Sequence, residues 1–279
     1  MLREIEINEV PVLIYPDHET ASRAIAQMIV DGSSELDEPC TLNLSGGGTI
    51  LRAEALLTQD PDYRDKIDWT EVHLCFGDEH WRLPGDPNTT NFEGAWQYFK
   101  ALVEAGKLPL FNIHNVILPT EKEDLLNLAL IQVAAKRYGY EIVGLMVDLY
   151  DDSRVNFDLS IIGLGGGKPG DPGYAHFASI LSELEGCPPR IWDGDNKKIA
   201  MGILYPPNAP KDQGRVTLTP EVFKDSYQTV MFVTGEGKAE ALKDVLTCDI
   251  ARIRELPGAI IRQCNNGIVI TDEACAKLL

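Results

Sequence analysis

Short apolar runs alternate with amphipathic stretches along the whole chain. Residues Glu4 to Tyr15 show mixed alternation and predict a strand, ended by Pro16 and Asp17. Asp17 or Thr20 caps a predicted helix through Val30, with Ala24, Ile25, Met28 and Ile29 on one face. A polar connection, Asp31 to Pro39, follows. Thr41 to Leu44 predicts a short strand, and TILRAEALL (Thr49 to Leu57) a helix. Glu71 to Phe76 predicts another strand, and Asn91 caps the predicted helix NFEGAWQYFKALV. Ile113 to Leu118 reads as a strand. Glu121 to about Leu149 is helix-rich, with Gly139 and Gly144 as candidate breaks. FDLSIIG (Phe157 to Gly163) has the apolar, β-branched character of a buried strand.

The C-terminal third repeats the pattern. Strands are predicted at Ile199 to Leu204, Val216 to Leu218 and Gln228 to Thr234. Thr219-Pro220 opens a short helix, with proline in its first turn. GEGKAEALKDVL reads as a loop and helix. The final segment, from Ala259, reads as strands around an Asn-Gly turn and a helix from Thr271 or Asp272. Regular alternation of strand and helix predicts a three-layer α/β architecture, with a mainly parallel sheet and helices on both faces. No internal repeat, coiled-coil heptad or linker stands out, so a single domain over residues 1–279 is expected.

Composition narrows the function. The 279 residues carry a formal net charge of −18, which disfavours nucleic acid and anionic membranes as partners. An anionic small substrate then requires a local positive pocket. The start, MLREIEINEV, has no apolar signal core, and no apolar run is long enough to span a bilayer; a soluble, cytoplasmic protein is expected. Six scattered cysteines form no CxxC or zinc-type spacing, and Cys40 and Cys75 read as buried thiols.

Candidate chemistry gathers at strand ends, where open α/β sheets bind ligands. FDLSIIG runs into the loop GLGGGKPGDPG and then His176, a group able to exchange a proton near neutral pH. On these residues alone, an acid/base and a loop histidine without a role are equally open. After Leu44 comes SGGG (Ser45 to Gly48). It lacks the Lys-Ser/Thr of a Walker A loop and the spacing of a dinucleotide fingerprint. A phosphate cradle of backbone amides remains, as does a plain tight turn in a βα unit. After Phe76, the residues Asp78, Glu79, His80 and Arg82 crowd one strand end. Lys238 opposes the dipole at a predicted helix start, which points to an anion nearby, although most such lysines are simply at the surface.

Four of these pieces occur in the same order in one family. They are LSGGGT near residue 45, GDEHW with the later Asn91, FDLSIIGLG leading to HFAS, and PK…RVTLTPEVF followed by VTGEGKAEAL. On them, the chain resembles the 6-phosphogluconolactonases, within the superfamily that also holds glucosamine-6-phosphate deaminase. The resemblance implies a Rossmann-like fold and hydrolysis of a sugar-phosphate lactone of the pentose phosphate pathway, without metal or cofactor. It implies that His176 is the catalytic histidine and Asp78 the acidic residue of the family's Asp-Glu-Arg motif. It also implies that Ser45, Gly46, Gly47 and Thr49 form the phosphate-side loop, that Lys238 contacts phosphate, and that Lys211 and Arg215 form a basic pair near the pocket. Asn91 and His80 fall in the same motif region.

The chain departs from the family pattern at several positions. Gly48 replaces a serine. His80 stands where an arginine is usual, and Arg82 is the candidate to supply that charge. Tyr174 and Ala175 precede His176 in place of the family's Asp-Gly, and Asp171 is the candidate substitute. The deaminases follow their histidine with Ala-Phe-Asn-Glu; here Leu181 stands in the place of that glutamate. The expected partner is a small sugar phosphate. The rival readings are an isomerase/deaminase and a sugar-phosphate-binding protein without catalysis.

Overall fold

The computed structural model describes residues 3–34, 39–86, 90–192, 199–207 and 214–279. The chain runs through β1 (Arg3–Ile7), β2 (Val10–Tyr15), α1 (His18–Ser34), β3 (Cys40–Leu44), α2 (Leu51–Gln59) and α3 (Pro61–Arg64). Next come β4 (Val72–Phe76), β5 (Asp78–His80), α4 (Asn91–Glu104), β6 (Ile113–His114), α5 (Leu128–Tyr150) and β7 (Leu159–Ile162). The last part holds β8 (Ala200–Leu204), β9 (Gly214–Leu218), α6 (Pro220–Asp225), β10 (Gln228–Val233), α7 (Ala239–Thr247) and β11 (Gly267–Asp272).

Among the described residues, eight strands form a sheet in the order β1-β2-β11-β10-β7-β3-β4-β6. All pairings are parallel except β1 with β2. This is the expected α/β architecture. Helices α1, α2 and α4 cover one face, where Ile25, Leu56 and Phe99 pack with Leu42, Ile161 and Ile270. The other face is covered by α5, α6, α7 and a small antiparallel sheet, β5-β9-β8. No helix among the described residues is long and apolar enough to cross a membrane.

Strand order reverses between β3 and β7, so the chain leaves a crevice above their carboxyl ends. Polar side chains fix that junction. Thr41 Oγ1 donates to Asp158 Oδ2 at 2.7 Å, and Asn43 Nδ2 donates to the buried Ser160 Oγ at 3.0 Å. A one-residue slip of β7 would strand these buried groups.

Several local expectations change. The first strand is a hairpin: Asn8 and Glu9 both take positive φ (48° and 66°), as a type I′ turn requires. The residues Asp78 to His80 are a strand rather than a loop, paired with β9. The N-cap of α4 is Thr90, in a capping box with Glu93, and Asn91 is the first helical residue. Of the strand predicted at Ile113 to Leu118, only Ile113–His114 pairs in the sheet, as β6.

Helix α5 runs unbroken through both glycines. A Cβ on Gly139 would lie 3.4 Å from the backbone of Ala200, so this glycine marks a close helix–strand approach. No helix follows His176, because Ala178 and Ser179 adopt positive φ. The C-terminal segment holds a 3-10 helix (Pro257–Gln263) and a single parallel strand, β11, which runs on through Thr271 and Asp272.

Candidate active site

A cavity of about 430 Å³ opens above the ends of β3, β4 and β7. One wall is the loop after β3, which contributes Ser45, Gly46, Gly47 and Thr49. A second wall carries Asp78, His80, Asn91 and Arg215, and His176 and Lys238 close a third side. Ten of the twelve expected residues therefore share one cavity. Arg82 does not line it; the side chain is buried in the field of Asp86 and Glu79. Lys211 lies outside the described residues.

Strand β5 explains the second wall. Its register places His80 opposite Arg215 of β9, so both side chains project from the same face of the ribbon. Arg215 thus sets a cation beside His80 across the sheet, and the charge of Arg82 also acts on both residues. Burial, then the neighbouring Arg215, push the His80 imidazole down to about 4, which keeps it neutral at pH 7. Burial also lowers Arg215 and Lys238 from their usual ranges.

Glu79 anchors the same strand to α4. One carboxylate oxygen accepts from the amides of His80 and Asn91 (both 2.7 Å), and the other from Phe92 at 2.9 Å. Burial nevertheless pushes its carboxyl up to about 7. Asn91 Nδ2 donates to the carbonyl of Asp78 at 2.9 Å. The Asn91 side chain also packs so closely on Gly46 that any Cβ there would overlap it. Glycine at 46 is therefore required by a close approach, and that approach ties the loop Ser45 to Thr49 to the strand bearing Asp78.

His176 is held by the backbone. Its Nδ1 donates to the carbonyl of Gly173 in a short hydrogen bond. A carbonyl only accepts, so Nδ1 carries the proton and Nε2 keeps the lone pair. The amide of Gly173 is fixed in turn by Glu185 Oε1 at 2.6 Å. Asp171, the expected substitute for the missing aspartate, instead accepts from the amide of Lys168 at 2.7 Å. Burial lowers the His176 pKa; Gly173 and Asp78 oppose that, and Lys238 adds to it.

The segment around the ring is strained. Ala175, Ala178 and Ser179 have φ of 56°, 42° and 57°, a conformation costing ~1–3 kcal/mol at each non-glycine residue. Each carbonyl is pinned. Ala175 O accepts from Gly258 N (2.7 Å), Ala178 O from Thr217 Oγ1 (2.6 Å) and Ser179 O from Tyr205 OH (2.9 Å). The Ser179 hydroxyl, which also lines the cavity, donates to Asp78 Oδ2. Lys238 Nζ donates to the carbonyl of Leu164 at 2.6 Å, at the base of the loop that leads to His176.

Sequence reasoning missed Gly173, Glu185 and Ser179. A carbonyl orienter has no side-chain signature, and Glu185 is brought in from a separate 3-10 turn (Glu183–Glu185). Ser179 was visible in HFAS but carried no sign of its bond to Asp78.

The arrangement combines backbone amides, the buried Arg215, the half-buried Lys238 and a neutral histidine with one free ring nitrogen. Fold and cavity together define a Rossmann-like α/β enzyme with a cation-lined pocket at the switch point of its sheet. The chain belongs to the glucosamine-6-phosphate isomerases/6-phosphogluconolactonase family, whose model matches residues 16–270. It is 28% identical over 269 residues to the 6-phosphogluconolactonase of Aggregatibacter actinomycetemcomitans, covering 96% of this chain and 99% of that one. It is 25% identical over 276 residues to the glucosamine-6-phosphate deaminase of Rhodopirellula baltica, covering 98% and 97%. The 6-phosphogluconolactonase structure from Leishmania guyanensis shares the fold, with a TM-score of 0.72 at 18% identity and coverage of 95% and 97%.

Proposed function

We propose that the protein hydrolyses 6-phosphogluconolactone to 6-phosphogluconate, with His176 as general base. The observation that carries this reading is the Gly173 carbonyl, which commits the Nδ1 proton and leaves Nε2 basic on a ring lining the cavity. The substrate phosphate rests on the amides of Ser45 to Thr49, and Lys238 and Arg215 supply the positive charge that the acidic chain otherwise lacks. The lactone C1 then lies near His176. Nε2 takes a proton from water as its oxygen bonds to C1, and the C1 carbonyl oxygen becomes an oxyanion. Collapse of this tetrahedral species breaks the bond from C1 to the ring oxygen. The imidazolium returns its proton to that oxygen, so the base is regenerated. Asp78, bonded to Ser179, raises the His176 pKa against burial and so favours the transient imidazolium.

The deaminase relative makes amino-sugar chemistry the second reading. Leu181 argues against it: this buried apolar side chain lines the cavity where the deaminases carry a glutamate, so the carboxylate that such chemistry would use is missing. The test offers the purified protein 6-phosphogluconolactone and glucosamine 6-phosphate in parallel. Acid production from the first, above spontaneous opening, with no ammonia from the second is the expected result; the reverse would overturn the reading.

A further inference from the structure

Helix α5 carries two apolar stripes, and the chain covers one of them. Ile131, Ala135, Tyr138, Ile142 and Met146 are buried against the small sheet. On the opposite side, Leu130, Val133, Arg137, Tyr140, Gly144 and Val147 follow one another at alternating three- and four-residue steps, the spacing of a helix–helix seam. Val133 is 63% exposed, Tyr140 66% and Val147 43%. The stripe is about 27 Å long. Exposed Leu110, Phe111 and Ile117 flank β6, which the His114–Glu141 contact (3.1 Å) joins to the same helix. Among the described residues nothing covers this surface, and contiguous apolar patches of this kind mark interaction sites.

We propose that this face docks the same face of a second copy of the chain, with the two α5 helices antiparallel and a two-fold axis at Tyr140. The charges on the helix select both occupant and register. Its exposed face bears Lys136 and Arg137 in the middle, then Glu141 and Asp148, with no net positive charge to attract an anionic lipid surface. Centred on Tyr140, Val133 of one copy meets Val147 of the other, and Arg137 lies over the partner's Gly144, where a side chain would otherwise compete for space. Each Arg137 then falls between the partner's Glu141 and Asp148. A seam centred between Lys136 and Arg137 would instead set these cations against themselves. The contact is isologous, so it closes as a dimer.

Light scattering on the size-separated full chain tests this. The wild type is expected at twice 30.8 kDa, and Tyr140→Glu with Val133→Glu at 30.8 kDa with an unchanged circular dichroism spectrum. Because both positions face solvent in one chain, the fold tolerates the change. Register is read by oxidation: Tyr140→Cys is expected to cross-link to itself, and Val133→Cys to a chain carrying Val147→Cys, while wild type does not. A wild type that stays at 30.8 kDa across micromolar concentrations, or a dimer untouched by the double substitution, would overturn the proposal.

Discussion

The ring of His176 hangs from the carbonyl of Gly173, three residues earlier in the chain. The bond fixes the tautomer, and among the described residues no carboxylate is hydrogen-bonded to the ring. Burial of the ring lowers its pKa from the ordinary imidazole value near 6.5. The base form therefore persists below pH 6.5. The acid limb of the pH–rate profile is expected below 6.5, and nitrogen NMR of the ring is expected to show the Nδ1–H tautomer at pH 7. An acid limb above 6.5, or a proton on Nε2, would contradict this geometry.

Glu185 acts through Gly173. Glu185→Gln keeps an oxygen to accept the Gly173 amide but removes a negative charge that raises the His176 pKa. The acid limb should move to lower pH with kcat at neutral pH little changed. Glu185→Ala also frees the Gly173 peptide, so kcat should fall roughly tenfold while KM holds, a loss consistent with a slightly misplaced catalytic group. Identical profiles for both variants and wild type would remove Glu185 from the site.

Gly46 and Asn91 are a fitted pair. Gly46→Ala should raise KM and lower the melting temperature, because the new methyl group displaces Asn91 and with it the bond to the Asp78 carbonyl. Adding Asn91→Gly should recover stability but not KM. Independent, additive effects of the two changes would show that the contact is not the cause.

Glu54 is 1% exposed, its Oε2 has no partner, and burial pushes its carboxyl up to about 8. An unfolded glutamate titrates near 4.5, so the folded form binds more protons between these values. This contribution is complete below about 4.5 and is lost as pH rises through about 8. Glu54→Met should be the more stable protein at pH 8, by up to roughly 4 kcal/mol, and the difference should vanish near pH 4. Denaturant titrations at the two pH values check both parts. A variant less stable than wild type at pH 8 would mean that the carboxyl is satisfied in the native state.

The order of strands and helices was legible because β3, β7 and β10 are buried on both faces and are mostly apolar, interrupted only by small polar residues such as Thr41, Asn43 and Ser160. The lining of the cavity was legible where a polar side chain stands in a motif, as at His176, Lys238 and Arg215. It failed where geometry comes from backbone or from pairing across strands. Asp78, Glu79 and His80 read only as charges beyond a strand end, yet they pair with β9 as a strand of their own, and Glu79 accepts from three amides. Sequence proximity pointed to Arg82 beside His80, and only the β5–β9 register brings Arg215 opposite it as well. Gly139 and Gly144 hid the length of α5, and with it the regular spacing of its outer stripe, because glycine reads as a break until the close approach to β8 is seen.

The central claim is that a histidine oriented by a backbone carbonyl serves as the base of lactone hydrolysis. The measurement that tests it most directly is turnover of 6-phosphogluconolactone by wild-type protein and His176→Ala, corrected for spontaneous opening. The account predicts rapid hydrolysis by the wild type and a loss of ~10²–10⁴-fold in kcat for the variant, with KM little changed. A variant that retains wild-type kcat would contradict it.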